Sequence, residues 1–163
     1  MGEIAFTTVH GSRLYGLDHA GSDKDSMIVY NDHRRAKHKK NGDEDVIHVG
    51  IFDLIEKAYD GSHQFVEGIF SQKKTWHDET YRPLIESLVI PGAHVAEKYE
   101  RTIKKLCYEN TKLRRHAVRL WLGLNQLRAS GKMNPTLNAV QASNVRLLAD
   151  FARDDTLKSF LLD

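Results

Sequence analysis

Residues 9–30 read VHGSRLYGLDHAGSDKDSMIVY, and this stretch carries the sequence signals that decide the fold. Residues 3–9 lead into this stretch, and the loose alternation of their apolar and polar side chains predicts a first strand. Gly11, Ser12 and Gly16 then break the pattern and predict a turn. The apolar run at residues 27–30 predicts a second strand over residues 23–30.

Asp23 and Asp25 are separated by one residue on this second strand. Alternate residues of a strand point to the same face, roughly 6 to 7 Å apart, so both carboxylates can reach one cation. Magnesium prefers hard oxygen ligands together with substrate phosphates, and two such ions can activate a hydroxyl and stabilise a leaving phosphate. An isolated Asp-x-Asp is more often an exposed turn. The Gly-Ser turn upstream makes us favour a metal site.

The turn itself has the chemistry of a phosphate site. Gly11 lets the backbone approach an anion closely, Ser12 offers a hydroxyl, and a helix beginning near Arg13 would aim free amide groups at the same anion. His10, just before the turn, either assists phosphate binding or simply ends the strand, and we favour the strand end. Phosphate and metal sites are therefore expected side by side.

A third strand is predicted over residues 45–49, and the polar segment between Asn31 and Gly42 is predicted to be a loop. Within it, residues 33–40 (HRRAKHKK) carry five lysines and arginines and no acid. This basic loop either contacts the phosphates of an RNA or of a bound nucleotide, or is a solvated, mobile loop. The residues leave both interpretations open.

The rest of the chain is predicted to be helical. After Gly50 the apolar period changes to about 3.6, which indicates a helix closed at Gly61 and then a short helix capped by Ser62. Residues 94–129 predict a helical stretch interrupted near Asn110. Asn134 with the following proline predicts the start of a last helix, through residue 152. The sequence therefore predicts a small sheet followed by helices.

Bulk properties limit the function classes. A length of 163 residues fits one domain, or a catalytic unit with a helical appendage. The net charge of +2 argues against nucleic-acid binding through overall charge. The single cysteine, Cys107, excludes an internal disulfide and a thiolate metal cluster. No membrane-spanning run or signal peptide is recognisable, so we expect a soluble, cytoplasmic protein with no membrane partner.

Residues 11–30 resemble the nucleotidyltransferase superfamily of the DNA polymerase beta type, and most closely a group of predicted nucleotidyltransferases common in bacteria and phages. The resemblance lies in Gly11-Ser12, in the aromatic-glycine pair Tyr15-Gly16, and in Ser22-Asp23-Lys24-Asp25. Residues 45–70 are similar to that group's third strand and the helices after it. Residues 112–135 are similar to its helical segment.

This resemblance implies an α+β fold with a small mixed or antiparallel sheet. Residues 1–92 would form the catalytic core, and residues 93–163 a helical segment packed on it. The resemblance places a third metal carboxylate at Asp45; the residues alone leave Asp43 and Asp45 open, and we rank Asp45 first. It also makes the later basic residues Lys112, His116 and Arg119 candidates for triphosphate or substrate contacts, beside Gly11, Ser12 and Arg13.

The implied activity is metal-dependent transfer of a nucleoside monophosphate from a nucleoside triphosphate, ATP among them, to a hydroxyl acceptor, with release of pyrophosphate. Two Mg²⁺ ions, or Mn²⁺ in their place, would be held by Asp23, Asp25 and Asp45. The preferred nucleotide is left open, and the acceptor is an RNA, a protein or a small molecule. The alternative is a catalytically inactive binding module of the same fold, RNA-binding or antitoxin-like.

Overall fold

The computed structural model describes residues 2–18 and 24–163, and its centre is a five-stranded sheet. The strands are β1 (Ile4–His10), β2 (Lys24–Tyr30), β3 (Lys37–Asn41), β4 (Glu44–Gly50) and β5 (Thr75–Trp76). They lie in the order β3-β4-β2-β1-β5. β2 and β4 run parallel, whereas the other neighbours are antiparallel. The sheet is therefore mixed, which confirms the predicted α+β class.

Helices make up most of the remaining described chain. They are α1 (Ser12–Tyr15), α2 (Ile51–Tyr59), α3 (His63–Phe70), α4 (Arg82–Ser87), α5 (Gly92–Leu106), α6 (Thr111–Ser130), α7 (Ala139–Phe151) and α8 (Asp154–Leu162). α5 and α6 pack against each other, and α7 packs on α6. No helix within residues 2–18 and 24–163 is long and apolar enough to cross a bilayer.

The core forms where α2 and α3 cover the sheet. Met27 and Val29 alternate with less buried residues on β2, so one face of the strand is apolar and fully buried. Gly68 of α3 lies so close to Met27 that a Cβ there would approach its sulfur to 2.8 Å. This close packing fixes the distance between α3 and β2.

The predicted loop over residues 31–42 is wrong, because residues 37–41 form strand β3. β3 pairs antiparallel with β4 through a two-residue turn at Gly42 and Asp43. Gly42 has φ +63°, and no described non-glycine residue has a positive φ, which is the pattern of a type II′ hairpin turn. All five residues of β3 are exposed. Its polar composition reflects an edge strand, where lysine also discourages pairing with another chain.

The predicted start of the last helix is also wrong. Helix α7 begins after Asn138, whose side chain accepts a hydrogen bond from the Gln141 amide (2.8 Å), while the Asn138 amide donates to Gln141 Oε1 (3.0 Å). This capping box outcompetes the Asn134 signal, since Asn134 instead closes a local turn by accepting from the Thr136 amide (3.1 Å). A further helix, α8, follows α7.

Other helix signals are confirmed. Asn110 interrupts the long helical stretch as the N-cap of α6, and its side chain accepts from the Leu113 amide (3.1 Å). Gly131 ends α6 at φ 72°. After α6 the chain returns to the start of the fold, where the Leu137 amide donates to the Tyr15 carbonyl (3.0 Å). The division at residue 92 stays a prediction.

Candidate active site

Three polar residues lie side by side across the sheet. In the strand register His10 of β1 is the partner of Asp25 on β2, and Asp25 is the partner of Asp45 on β4. Laterally paired residues project to the same face of a sheet. Residues far apart along the chain are therefore aligned in one row.

A cavity of about 390 Å³ opens over this row. Its walls come from the bend after β1, the first turn of α3 and the first turns of α6. It brings together the predicted site residues Gly11, Ser12, Asp25, Asp45, Lys112, His116 and Arg119. The predicted ligand Asp23 lies outside the described residues. Arg13 does not belong to the lining, and its guanidinium lies 3.8 Å from Asp18.

The bend at Gly11 requires glycine. Its φ of 69° and ψ of −155° fall in a region that is accessible essentially to glycine alone. A Cβ at this position would also overlap Oδ2 of Asp25. The backbone therefore lies directly against the Asp25 carboxyl group, and the helix that follows begins at Ser12, which agrees with the predicted start near Arg13.

Asp45 presents an oxygen that accepts no hydrogen bond from the described part of the chain. Its Oδ1 is buried, and Nδ1 of His38 lies 3.8 Å from it. Asp43 lies instead at the exposed hairpin turn, where its carbonyl accepts from the Lys24 amide (2.8 Å). The geometry thus places Asp45, ranked first of the two candidates, in the cavity.

The described carboxylates have the chemistry that Mg²⁺ requires. Asp25 and Asp45 supply hard oxygen donors at neighbouring positions, and the Oδ1 of Asp45, to which no described residue donates, is an acceptor that a cation would satisfy. Within the described part of the chain no three acidic, histidine or cysteine side chains form a complete metal cluster. A site built on Asp25 and Asp45 therefore fits the ion, with Asp23 as the predicted third ligand.

A buried ion pair supports the cavity from behind. Glu67 of α3 is 1% exposed and Arg119 of α6 is 3% exposed. Arg119 Nη1 donates to Glu67 Oε1, and the Tyr15 hydroxyl donates to Glu67 Oε2. The Arg119 guanidinium carbon lies 3.2 Å from the centre of the Tyr15 ring. Arg119 thus lines the cavity and is also bound inside the protein, and the substrate contact that the resemblance implies for it stays a prediction.

The same arginine sets the tautomer of His116, which in turn contacts His63. A guanidinium can only donate, so His116 Nδ1 accepts from Arg119 Nη2, and the neutral His116 ring carries its proton on Nε2. That Nε2–H donates to His63 Nε2 across 3.2 Å. Burial and then Arg119 hold the pKa of His116 well below 6.5, and burial lowers the pKa of His63.

His10 is both the last residue of β1 and part of the cavity lining. It is 4% exposed, and its Nε2 forms no hydrogen bond with any described residue. Burial lowers its pKa, while the nearby Asp25 acts in the opposite direction. Our preferred interpretation, in which His10 simply ends the strand, accounts for its position in β1. It did not predict that His10 lies beside Asp25.

The first turn of α6 forms the basic wall. Lys112 is exposed and forms no ion pair with any described residue, whereas Arg115 is bound to Asp150 (2.6 Å). Sequence reasoning missed several residues that belong to the site or support it: Tyr15, His63, Gln64, Glu67 and Arg115. Tyr15 had a signal in the aromatic-glycine pair. The others had none, since their proximity arises from helix packing.

A larger cavity, about 620 Å³, lies elsewhere and has a different chemistry. Glu86 is the single acid among the described lining residues, and the cations include Lys74, whose ammonium group donates to the Ser71 carbonyl (2.8 Å). The described residues that line it include no carboxylate pair for a metal ion, and the hydrogen bond from Lys74 satisfies the Ser71 carbonyl at the end of α3. We therefore place the candidate site at the smaller cavity.

No protein-family model and no curated protein sequence matches this chain. Among solved structures, it is similar to the crystal structure of a nucleotidyltransferase-like protein from Exiguobacterium sibiricum. The two share 14% sequence identity, the alignment covers 98% of this chain and 65% of that chain, and the TM-score is 0.38. This chain thus spans less than two thirds of that protein. The similarity carries no argument about activity, and the α+β class rests on the sheet and helices themselves.

Proposed function

We propose that the chain is a metal-dependent nucleotidyltransferase that moves a nucleoside monophosphate from a nucleoside triphosphate to a hydroxyl group. One observation carries this proposal. A glycine bend suited to phosphate lies directly against Asp25, and Asp25 is paired with Asp45 on the neighbouring strand of the same cavity. A phosphate donor and its counter-ions need this adjacency.

The chain's own groups divide into two sets. The backbone of Gly11, the Ser12 hydroxyl and the Lys112 ammonium group would bind the triphosphate, with Lys112 neutralising charge from the α6 side. Asp25 and Asp45, with Asp23, would hold two Mg²⁺ ions or Mn²⁺. Bound there, the ions would neutralise charge on the phosphates and the attacking oxygen.

The remaining basic candidates receive supporting roles. Arg119 is held by Glu67, so it would position the Tyr15 ring and His116 at the cavity wall. Arg13 lies outside the cavity lining, and a phosphate contact from it stays a prediction.

The proposed step is a single displacement. The acceptor oxygen forms a bond to the α-phosphorus, and the bond from that phosphorus to the bridging oxygen breaks, so pyrophosphate leaves with both bonding electrons. The hydroxyl proton passes to a carboxylate oxygen of Asp45, whose Oδ1 accepts no hydrogen bond from a described residue. No covalent protein intermediate is needed, because positioning and charge stabilisation supply the catalysis.

The test is incubation of the protein with each of the four α-³²P-labelled nucleoside triphosphates and Mg²⁺ or Mn²⁺. RNA oligonucleotides, proteins and small hydroxyl compounds are offered as acceptors, and products are identified by mass spectrometry. We expect label transfer with wild type, at least 100-fold less with Asp45→Asn, and wild-type activity with the matched control Asp43→Asn. Full activity in Asp45→Asn would contradict the proposal. RNA binding without transfer by any acceptor would favour the inactive binding module.

A further inference from the structure

The row of paired residues continues onto the edge strand. In the β3–β4 register Lys40 is the partner of Asp45, and His38 is the partner of Ile47. Lys40 and His38 therefore project from the same sheet face as Asp25 and Asp45. Lys37 and Lys39 occupy the alternate positions and project from the opposite face. The basic segment is thus split between two faces, and one of them is the face of the candidate site.

The cations of this segment differ in their partners. Arg34 is bound to Asp32 (2.7 Å) and Arg35 to Asp53 (2.6 Å), so both serve the fold. No described residue forms an ion pair with Lys37, Lys39 or Lys40. The charge of Lys40 is therefore available to a ligand on the cavity side of β3.

The two ends of the row of paired residues differ in their exposure to solvent. His10 at one end is buried, and His63 and His116 lie near it within the cavity. Lys40 at the other end is exposed. An acceptor that approaches Asp45 from the exposed end of the row passes over β3. The first side chains that it meets there are Lys40 and then His38, roughly 6 to 7 Å further along the strand.

We propose that the acceptor is the end of a single-stranded nucleic acid whose backbone phosphates lie along the Lys40 and His38 face of β3. This inference rests on the proposed function and names its acceptor class. A strand with regularly spaced phosphates gains affinity from cations placed in line with the reacting end. The net charge of +2 is compatible with this, because the contact is local and not a property of the whole surface.

The competing explanation is that the lysines protect a sheet edge from pairing with other chains. That role does not depend on which face a lysine occupies, so it predicts that substitution of Lys39 and of Lys40 changes nucleic-acid binding equally. A nucleic acid that lies beside Asp45 predicts that the two substitutions change binding unequally. The two adjacent lysines are therefore a matched pair for the test.

The experiment measures fluorescence anisotropy of 5′-labelled 12-nucleotide RNA and DNA strands with the full chain, between 50 and 200 mM KCl. We expect salt-dependent binding by wild type, roughly threefold to tenfold weaker binding by Lys40→Ser, and a salt slope smaller by about 0.7 for that variant. Lys39→Ser should stay within about twofold of wild type. Equal losses in both variants, or no binding of either strand at 50 mM KCl, would overturn the inference.

A second measurement separates this inference from the proposed activity. Asp45→Asn should bind the strands while losing label transfer to them. Label transfer to a protein or small molecule, without face-dependent strand binding, would leave the activity standing and overturn the nucleic-acid acceptor. Face-dependent strand binding, without label transfer to any acceptor, would overturn the activity and with it the acceptor role of the strand.

Discussion

Asp25 on β2 and Asp45 on β4 are register partners on two parallel strands, although twenty residues separate them in the chain. Neighbouring strands are only about 4.8 Å apart, which is closer than two alternate residues along one strand. The pairing of β2 with β4 therefore brings these two carboxyl groups together by backbone hydrogen bonds alone. Their alignment does not require a side-chain contact between them.

Gly11→Ala should damage the site through the backbone. A side chain at φ 69° and ψ −155° costs about 1–3 kcal/mol, and the added methyl group would overlap Asp25 Oδ2. We expect lower stability in urea and the loss of any Mg²⁺-dependent rise in Tm. Both are measured by unfolding with and without the metal.

Gly42→Ala is the matched control, because Gly42 also has a positive φ (63°) but nothing lies within 4 Å of the added Cβ. It should cost about 1–2 kcal/mol and leave the Mg²⁺-dependent shift of Tm intact. If both alanine variants respond to Mg²⁺ like wild type, the bend at Gly11 does not support a metal site at Asp25.

The sequence predicted those parts of the fold and site that depend on local patterns. Alternation and glycine positions indicated β1 and the bend, and Asn110 indicated the start of α6. Residues 37–41 were missed because an edge strand exposed along its length has the composition of a loop. Only its pairing with β4 identifies it as a strand.

Long-range relationships could not be predicted in the same way. The choice between Asp43 and Asp45 depends on the register of the β3–β4 hairpin, which sets which acid faces the cavity. Glu67 and Arg119 are 52 residues apart, and helical periodicity does not reveal that these two polar groups meet in the core. Resemblance indicated a role for Arg119 near substrate, but its engagement with Glu67 is a property of packing.

Glu67→Gln should be strongly destabilising. It leaves the buried Arg119 guanidinium without its counter-charge, and breaking such a pair costs about 3–5 kcal/mol. Asp150→Asn is the control, since it weakens the partly exposed pair with Arg115 and should cost about 1 kcal/mol or less. Urea unfolding measures both variants. A loss below about 1 kcal/mol in Glu67→Gln would show that the pair contributes little to the fold.

The His63–His116 pair should make stability depend on pH in the weakly acidic range. Burial lowers the pKa of both rings, so between 6.5 and their lowered values the unfolded chain binds protons that the folded chain does not. Stability is therefore full above pH 6.5 and falls as the pH drops below it. NMR titration of the ring protons checks the pKa values, and urea unfolding at pH 7.5 and 5.5 checks the slope. A His116 pKa at or above 6.5 would contradict the effect assigned to burial and to Arg119.

Asp32 should contribute a separate acid-labile component of stability. Hydrogen bonds from the Arg34 side chain, and then from the Arg34 and Gly2 amides, lower the pKa of Asp32 from 3.8 to about 2. Because the folded pKa is the lower one, this contribution is present above pH 3.8 and is lost as the pH falls through about 2.

Asp32→Asn should be less stable than wild type at pH 6 and equal to it near pH 2 in urea unfolding. Arg34→Gln should also reduce the dependence of the free energy of unfolding on pH in this acid range, because it removes the first cause of the pKa shift of Asp32. If either variant keeps the wild-type acid dependence, the Asp32–Arg34 contact is not its source.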